Sequence, residues 1–587
     1  MHFRPTGQSI TSFAVEESGV SDVAEHAATQ PPVAALLDGL PLVKHQALNG
    51  NLAIDDMFGV EQLYQQGERI HGTSMASLIM RGDLSADETP LTKALYCIPV
   101  LQPDTNRRSQ NTVVEHVPDD EFLEERILLA VQRLFESADS TIKLINLSIG
   151  NPEQVFTHTP SPLARLIDWL SFRYRVLFLV SAGNYTDSLE LGISYGQWRK
   201  LNADEKTSAA LTAANNNQLQ RRLISPAEAF NVLTVGGMHQ DEAGTYSVAN
   251  RIDLLSNLTI PSLISRLGHG FKRSVKPEIY FPAGRQLFNE PFTDSQSNIS
   301  LNNSLSSPGH KVAWAGSAQG DLHKIVFTRG TSNATALATR AAIRVYEELE
   351  QLIAQGEAQI SNELMAVTIK ALMVHGARQP QDAINSFKEM LEGPRQLKEA
   401  LARYMGYGQV DLNWLLRNTQ QRATVIGSGE ITQNQIHEYR FPLPQALAGE
   451  KHWRKLVITL AWFSPINTNH ANLREAKLEL SPATSPWDKT PLVIQRMQSD
   501  HNQVKRGTVQ HEILEGAKEI SAYQDGEELL LHISCKPDAT QQLDELIPYS
   551  LAVTLEVKED VQIPIYQQIR AKIQQKVQVT TPVRIKL

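Results

Sequence analysis

Pro31-Pro32-Val33-Ala34-Ala35-Leu36-Leu37-Asp38-Gly39 is the stretch on which the fold turns. An unbroken apolar run, entered from prolines and closed by Asp-Gly, is the pattern of a strand buried on both faces of a parallel sheet. The same pattern recurs at Ala94–Val100, Ile142–Leu147, Arg175–Val180 and Val232–Val235. Between these runs lie stretches of helical period, the clearest being Asp120–Ser137, where Leu123, Ile127, Leu128, Val131 and Leu134 fall on one face. Strand and helix in alternation predict an α/β domain: a parallel sheet with helices on both faces. Long helical signals follow at Thr331–Gln355 and Asn362–His375.

Beyond Gly406-Tyr407-Gly408 the period changes. Arg454–Trp462, Ala476–Leu480, His511–Leu514, Leu529–Ser534 and Tyr549–Val557 are β-branched or alternate with period two, separated by turn-rich sequence. An all-β sandwich domain over residues 422–587 is the expectation, after an α/β domain over 33–421. Residues 1–32 read as an N-terminal arm, and two insertions swell the α/β domain. Residues 187–222 are polar and partly helical in pattern, whereas 294–310, rich in Ser and Asn, read as a mobile loop.

Length and composition exclude several classes. A chain of 587 residues with 41% hydrophobic and 20% charged residues holds at least two globular domains and is no single small binding module. Two cysteines, Cys97 and Cys535, cannot make a disulfide scaffold or a CxxC zinc site. A formal charge of −9 with scattered Lys and Arg argues against nucleic acid and anionic membranes as partners. No run of about 18 apolar residues is present, and the first twenty residues lack the apolar core of a signal peptide.

Four polar residues stand where predicted elements end or begin: Asp38 after the first buried run, His71 in HisGlyThrSerMetAla (71–76), Asn184 in SerAlaGlyAsn (181–184), and Ser332 in ArgGlyThrSerAsnAlaThrAla (329–336). In open parallel sheets, sites form at the carboxyl ends of strands and the N-termini of helices. Each residue has a plain alternative reading. One His among 17 is more often a surface or core residue, and Asp, Asn and Ser at such places cap helices or make turns. Order and context make the set informative.

Asp, His and Ser in that order, with Gly-Thr beside His71 and before Ser332 and AlaGlyAsn between them, resemble the subtilases, the subtilisin-like serine peptidases. IleAsnLeuSerIleGly (145–150), ValLysProGlu (275–278) and GlyTyrGly (406–408) extend the resemblance. It implies a serine endopeptidase with Ser332 as nucleophile, His71 as general base and acid, Asp38 as the carboxylate behind His71, and Asn184 as oxyanion donor. Ser148, Ile149 and Gly150 resemble the edge segment along which an extended peptide substrate adds as a strand. Gly39 stands where the family usually has Ser or Thr, so no hydroxyl there supports Asp38. Ser74, Asn333 and Ala336 are further departures. Sedolisins, with Glu for His and Asp for Asn, fit less well because His71 and Asn184 are both present. No calcium site is matched, so neither metal nor cofactor is expected.

The short segment before Asp38 resembles intracellular bacterial subtilases more than secreted ones, which implies a cytoplasmic, restrained peptidase acting on proteins or peptides. For some such enzymes the resemblance extends to an AAA-type ATPase partner and bacterial defence against phage. The alternative class is a subtilase-like binding scaffold, inactive or active only with a partner.

Overall fold

In the computed structural model, Gln30–Asp38 forms strand β1 at the heart of a parallel sheet, its apolar residues Val33–Leu37 all buried. The structure describes residues 19–20 and 26–576, apart from 107–112, 138, 248, 257, 317, 319, 392, 418, 485–486, 488–489, 493, 498–504 and 517–522. Most of the expected N-terminal arm lies outside the described residues, and its end, Gln30-Pro31-Pro32, begins β1.

Six other strands of this nine-stranded sheet run parallel with β1 on its two sides: β2 (Leu52–Ile54), β3 (Lys93–Pro99), β4 (Leu144–Leu147), β5 (Leu177–Ser181), β6 (Leu233–Met238) and β7 (Ile279–Pro282). Their spatial order is β2-β3-β1-β4-β5-β6-β7. The chain therefore leaves β1 toward β3 on one side and leaves β4 toward β5 on the other. The strand order reverses between β1 and β4, the topological switch at whose carboxyl ends such sheets bind ligands. Asp38 ends β1 and Ser148 follows β4, one on each side of this switch point.

Helices occupy the intervals. α1 (His71–Arg81), α2 (Leu123–Leu134) and α3 (Pro162–Tyr174) are followed by α4 (Ala203–Asn216), inside the first expected insertion. α4 starts where Asn202 and Glu205 form a reciprocal capping box, a strong local start signal. The second insertion, expected as a mobile loop, carries Asn298–Ile299, which pairs antiparallel with Leu189–Glu190 of the first. Buried Ile299 and Leu189 belong to one apolar cluster, which supplies the order that the Ser/Asn-rich composition hides. A hairpin, β8 (His310–Ala313) with β9 (Lys324–Thr328), delivers the chain to α5 (Thr331–Ala354). α6 (Met365–His375) follows.

By contacts the chain forms two units, and each is discontinuous in sequence. The first gathers the described residues of Met1–Leu170, Val176–Arg344 and Arg378–Gln409; the second takes Ser171–Arg175, Val345–Ala377 and Val410–Leu587. Thus α6, inside the expected 33–421 span, belongs to the second unit. There it packs on β12 (Arg454–Trp462) and β17 (Ile547–Val557). It is buried on every side, and its His375 bonds to Thr459 and Thr554 at 2.9 and 2.7 Å.

The second unit holds two antiparallel sheets. β10 (Arg422–Ile431), β17, β12, β15 (Val509–Gly516) and β14 (Ile494–Arg496) form one in that order; β11 (Ile436–Pro442), β16 (Glu528–Pro537) and β13 (Ala476–Pro482) form the other. Their inner residues make one core around fully buried Trp462, whose indole N–H donates to the Ala476 carbonyl at 3.2 Å. Trp462→Ala is expected to destabilise this unit by about 3–5 kcal/mol, the usual cost of emptying an aromatic core position. Chemical denaturation followed by far-ultraviolet circular dichroism would measure it. No described helix is long and apolar enough to cross a membrane.

Candidate active site

Asp38 is wholly buried at the end of β1. Its Oδ1 accepts two hydrogen bonds, from the Gly39 backbone N–H at 2.7 Å and from His71 Nδ1 at 2.7 Å. With Asp38 accepting, the proton of that second bond sits on Nδ1, and Nε2 is the nitrogen left to act as base. His71 is the first residue of α1. Two hydroxyls in the first turn fix it there. Thr73 Oγ1 accepts from Leu42 N–H at 2.7 Å and donates to the Arg69 carbonyl, while Ser74 Oγ donates to the Ile70 carbonyl at 2.9 Å. Helix start and strand end are thereby tied together. Burial alone would push the His71 imidazole down, but the Asp38 charge and hydrogen bond, together with the nearby Glu115 carboxyl, raise its pKa on balance.

Ser332 is the second residue of α5, at the positive end of a 24-residue helix. It is buried, and its hydroxyl donates to the Ser148 carbonyl at 3.3 Å. His71 Nε2 is buried and makes no hydrogen bond to any described residue. The nucleophile and base expected from the sequence are therefore not hydrogen-bonded to each other; the hydroxyl is turned toward Ser148. Contacts of this kind commonly tighten only when substrate is bound.

Asn184 is anchored beside Ser332. Its Oδ1 accepts from the Thr331 backbone N–H and from Thr331 Oγ1, both at 2.9 Å. Backbone N–H can only donate, so the oxygen assignment is fixed and the amide nitrogen carries the remaining donors. Thr331 Oγ1 also bonds Ser181 Oγ at 2.7 Å, locking the end of β5 to the start of α5.

Ser148, Ile149 and Gly150 lie in non-strand sequence after β4. Ser148 Oγ donates to Asn146 Oδ1 at 3.0 Å, and Asn146 Nδ2 donates to Thr339 on α5 at 2.8 Å. Directly after them Asn151–Val155 pairs antiparallel with Ile224–Ser225. The Ile224 side chain wedges between two glycines: a β-carbon on Gly183 would lie 2.5 Å from its Cγ1, and one on Gly150 would lie 2.8 Å from its Cδ1. Ile224 thus fills space between the Ser148–Gly150 and Ser181–Asn184 segments, a role that no local motif announces.

Glu115 is the other residue that sequence reasoning passes over. It reaches the Asp38–His71 pair from a two-residue ladder, Glu115–His116 against Gln102–Pro103, and is buried there. Tyr64 Oη lies 2.7 Å from its Oε1. Burial first, and the Asp38 charge second, lift its carboxyl pKa to about 7. The available sign was Gly39, a residue without a side chain where the resemblance leads one to expect a hydroxyl. Among the described residues Asp38, His71 and Glu115 form a group whose oxygen and nitrogen atoms lie within 4.8 Å of one another, close enough to share a cation. The Asp38–His71 hydrogen bond already occupies one atom of each.

Comparison with known proteins matches the subtilase family over residues 43–408, more than half of the chain. An uncharacterized protein of Sinorhizobium fredii (strain NBRC 101917 / NGR234), y4bN, is 26% identical over 340 residues, covering 57% of this chain and 70% of that protein. Among solved structures, the prenylagaramide maturation protease PagA is similar at 17% identity and a TM-score of 0.35, over 66% of this chain and 94% of that one. A cold-adapted subtilisin-like serine proteinase is similar at 14% identity and a TM-score of 0.32, over 63% and 89%.

Proposed function

This chain belongs to the subtilase family, and from that premise we propose that it is a serine endopeptidase working through Ser332, His71, Asp38 and Asn184. The observation that carries this reading is the buried 2.7 Å hydrogen bond between Asp38 and His71 Nδ1, which leaves Nε2 as the base. Substrate binding would turn the Ser332 hydroxyl from the Ser148 carbonyl toward Nε2. Ser332 Oγ then attacks the scissile carbonyl as its proton passes to Nε2. The oxyanion is met by the Asn184 amide and the Ser332 backbone N–H, with the N-terminal dipole of α5 behind them. His71 returns the proton to the leaving amine. Water, activated in the same way, then hydrolyses the acyl-enzyme.

A protein or peptide substrate is the partner this chemistry requires, and Ser148–Gly150 is our proposal for the edge along which it lies. Cytoplasmic placement, restraint of activity, a role in bacterial defence and an AAA-type ATPase partner extend the proposal on the sequence resemblance alone. The second reading, a scaffold that is inactive until a partner assembles it, is favoured by one observation: Ser332 is bonded to Ser148 and not to His71.

A fluorophosphonate probe separates the two readings. Labelling of the wild-type chain, mapped by mass spectrometry to the peptide holding Ser332, supports the peptidase. No labelling, with or without a cell extract to supply partners, overturns it. Asn184→Ala is expected to lower kcat about 10²–10³-fold with little change in KM, a magnitude taken from the corresponding donor of a subtilisin. Steady-state kinetics on a fluorogenic peptide would check it.

A further inference from the structure

We propose that Glu115 is a positioning residue of the Asp38–His71 pair, its carboxyl standing in for a hydroxyl at residue 39 and its ionisation weakening His71 as a base. The inference rests on the peptidase reading, and four observations carry it.

The first is mutual exclusion. A β-carbon on Gly39 would lie 2.5 Å from Glu115 Cδ and closer still to Oε1. Any side chain at residue 39 collides with this carboxyl, so the two positions compete for one space beside Asp38.

The second is an unmet acceptor. Both hydrogen bonds to Asp38 fall on Oδ1, whereas Oδ2 is buried with no hydrogen-bond partner among the described residues. A buried carboxylate oxygen without a donor is costly, and a protonated carboxyl nearby is a donor that could serve it after a small rotation.

The third is a proton count at Tyr64. Its hydroxyl accepts from Leu40 N–H at 3.4 Å and faces two acceptors, the Leu101 carbonyl at 3.1 Å and Glu115 Oε1 at 2.7 Å. One O–H cannot serve both fully. Tyr64 donates to Oε1, so a proton on Glu115 falls on Oε2 and is free to reach Asp38 Oδ2.

The fourth is charge. The groups facing Glu115 are Asp38 on β1, His71 on α1, and Tyr64 and Glu68 in the turns before α1. Two of these four are acids, and only His71 offers positive charge. Burial and these acids push the Glu115 carboxyl up into the range where a peptidase of this kind works.

Ionised Glu115 adds a second negative charge near His71 and holds the proton on the imidazole to higher pH. Neutral Glu115 leaves Nε2 available and can bond Asp38. The two titrations are coupled, so the acid limb of activity belongs to the pair.

The test uses the full chain with selectively ¹⁵N-labelled histidine, following the His71 imidazole by NMR in wild type and Glu115→Gln. The His71 midpoint is expected to fall by about one unit in Glu115→Gln, because the amide keeps its hydrogen bonds but cannot ionise. An unchanged midpoint overturns the proposal. A second arm reads the rate of Ser332 labelling by the fluorophosphonate. Gly39→Ser is expected to slow it about 10- to 100-fold through the collision with Glu115, and Gly39→Ser/Glu115→Ala to recover most of that loss. A double variant no faster than Gly39→Ser overturns the shared-space argument. The NMR arm does not depend on turnover. A midpoint that shifts in Glu115→Gln while no probe labels the wild-type chain would remove the peptidase reading and leave the Glu115–His71 coupling standing.

Discussion

Ser332→Ala and His71→Ala are each expected to lower kcat for peptide hydrolysis by about 10⁶-fold, and the double variant by no more than either alone. In the proposed mechanism the two side chains act in one event. Without the hydroxyl, His71 has nothing to activate; without the imidazole, the hydroxyl keeps its proton and is scarcely nucleophilic. Ser332→Ala is the cleaner variant. It removes one 3.3 Å hydrogen bond to Ser148 and leaves the helical backbone of α5 and the Asp38–His71 pair intact. His71→Ala strips Asp38 of a buried partner and opens a cavity, so its circular dichroism and melting curve must be compared with wild type before its kinetics are read. Losses that multiplied in the double variant would mean that Ser332 and His71 do not work as a unit.

Much of the α/β unit was legible because its physics is local. β1, β3, β4, β5 and β6 are apolar runs bounded by Pro, Gly or polar residues, and burial on both faces leaves no other pattern open to them. The four polar candidates could be read because each lies at or within three residues of an element boundary, with a short motif around it: Asp38 ends β1, His71 opens α1, Ser332 is second in α5 and Asn184 follows β5. What escaped the sequence is what depends on long-range approach. Glu115 sits in ValValGluHisVal, with no period and no motif, and meets Asp38 only because a two-residue ladder folds back over the strand ends. Ile224 reads as any strand residue until Gly150 and Gly183 are seen on either side of it. The interleaving of the two units was hidden for a similar reason. The α6 segment is readable as a helix, but being mostly apolar it gives no sign of which neighbours bury it. Order within residues 294–310 was masked by composition, since pairing with Leu189–Glu190 uses backbone groups that any sequence possesses.

Asp38→Ala is expected to lower kcat by about 10⁴-fold, less than loss of Ser332 or His71 because the base and nucleophile both survive. Two donors, the Gly39 N–H and His71 Nδ1–H, converge on Asp38 Oδ1, so alanine leaves both without an acceptor in a dry site and frees the imidazole to adopt the wrong tautomer. Asp38→Asn separates orientation from charge. The Gly39 N–H demands an oxygen at the Oδ1 position, and an asparagine oriented to supply it also accepts from His71 Nδ1–H, preserving the tautomer. Only the negative charge is then lost, and the Asp38→Asn deficit should be smaller than that of Asp38→Ala. The sign of the pH effect follows from the balance at His71. Burial lowers its pKa, while the Asp38 charge and hydrogen bond, with a smaller contribution from Glu115, raise it by more, so removing the Asp38 charge takes away the largest raising cause and the imidazole pKa falls. Activity needs the neutral ring and is lost as pH falls through that pKa, so the acid limb of residual kcat/KM should move to lower pH in both variants. A limb that stayed in place or rose would mean that Asp38 is not the group holding the proton on His71.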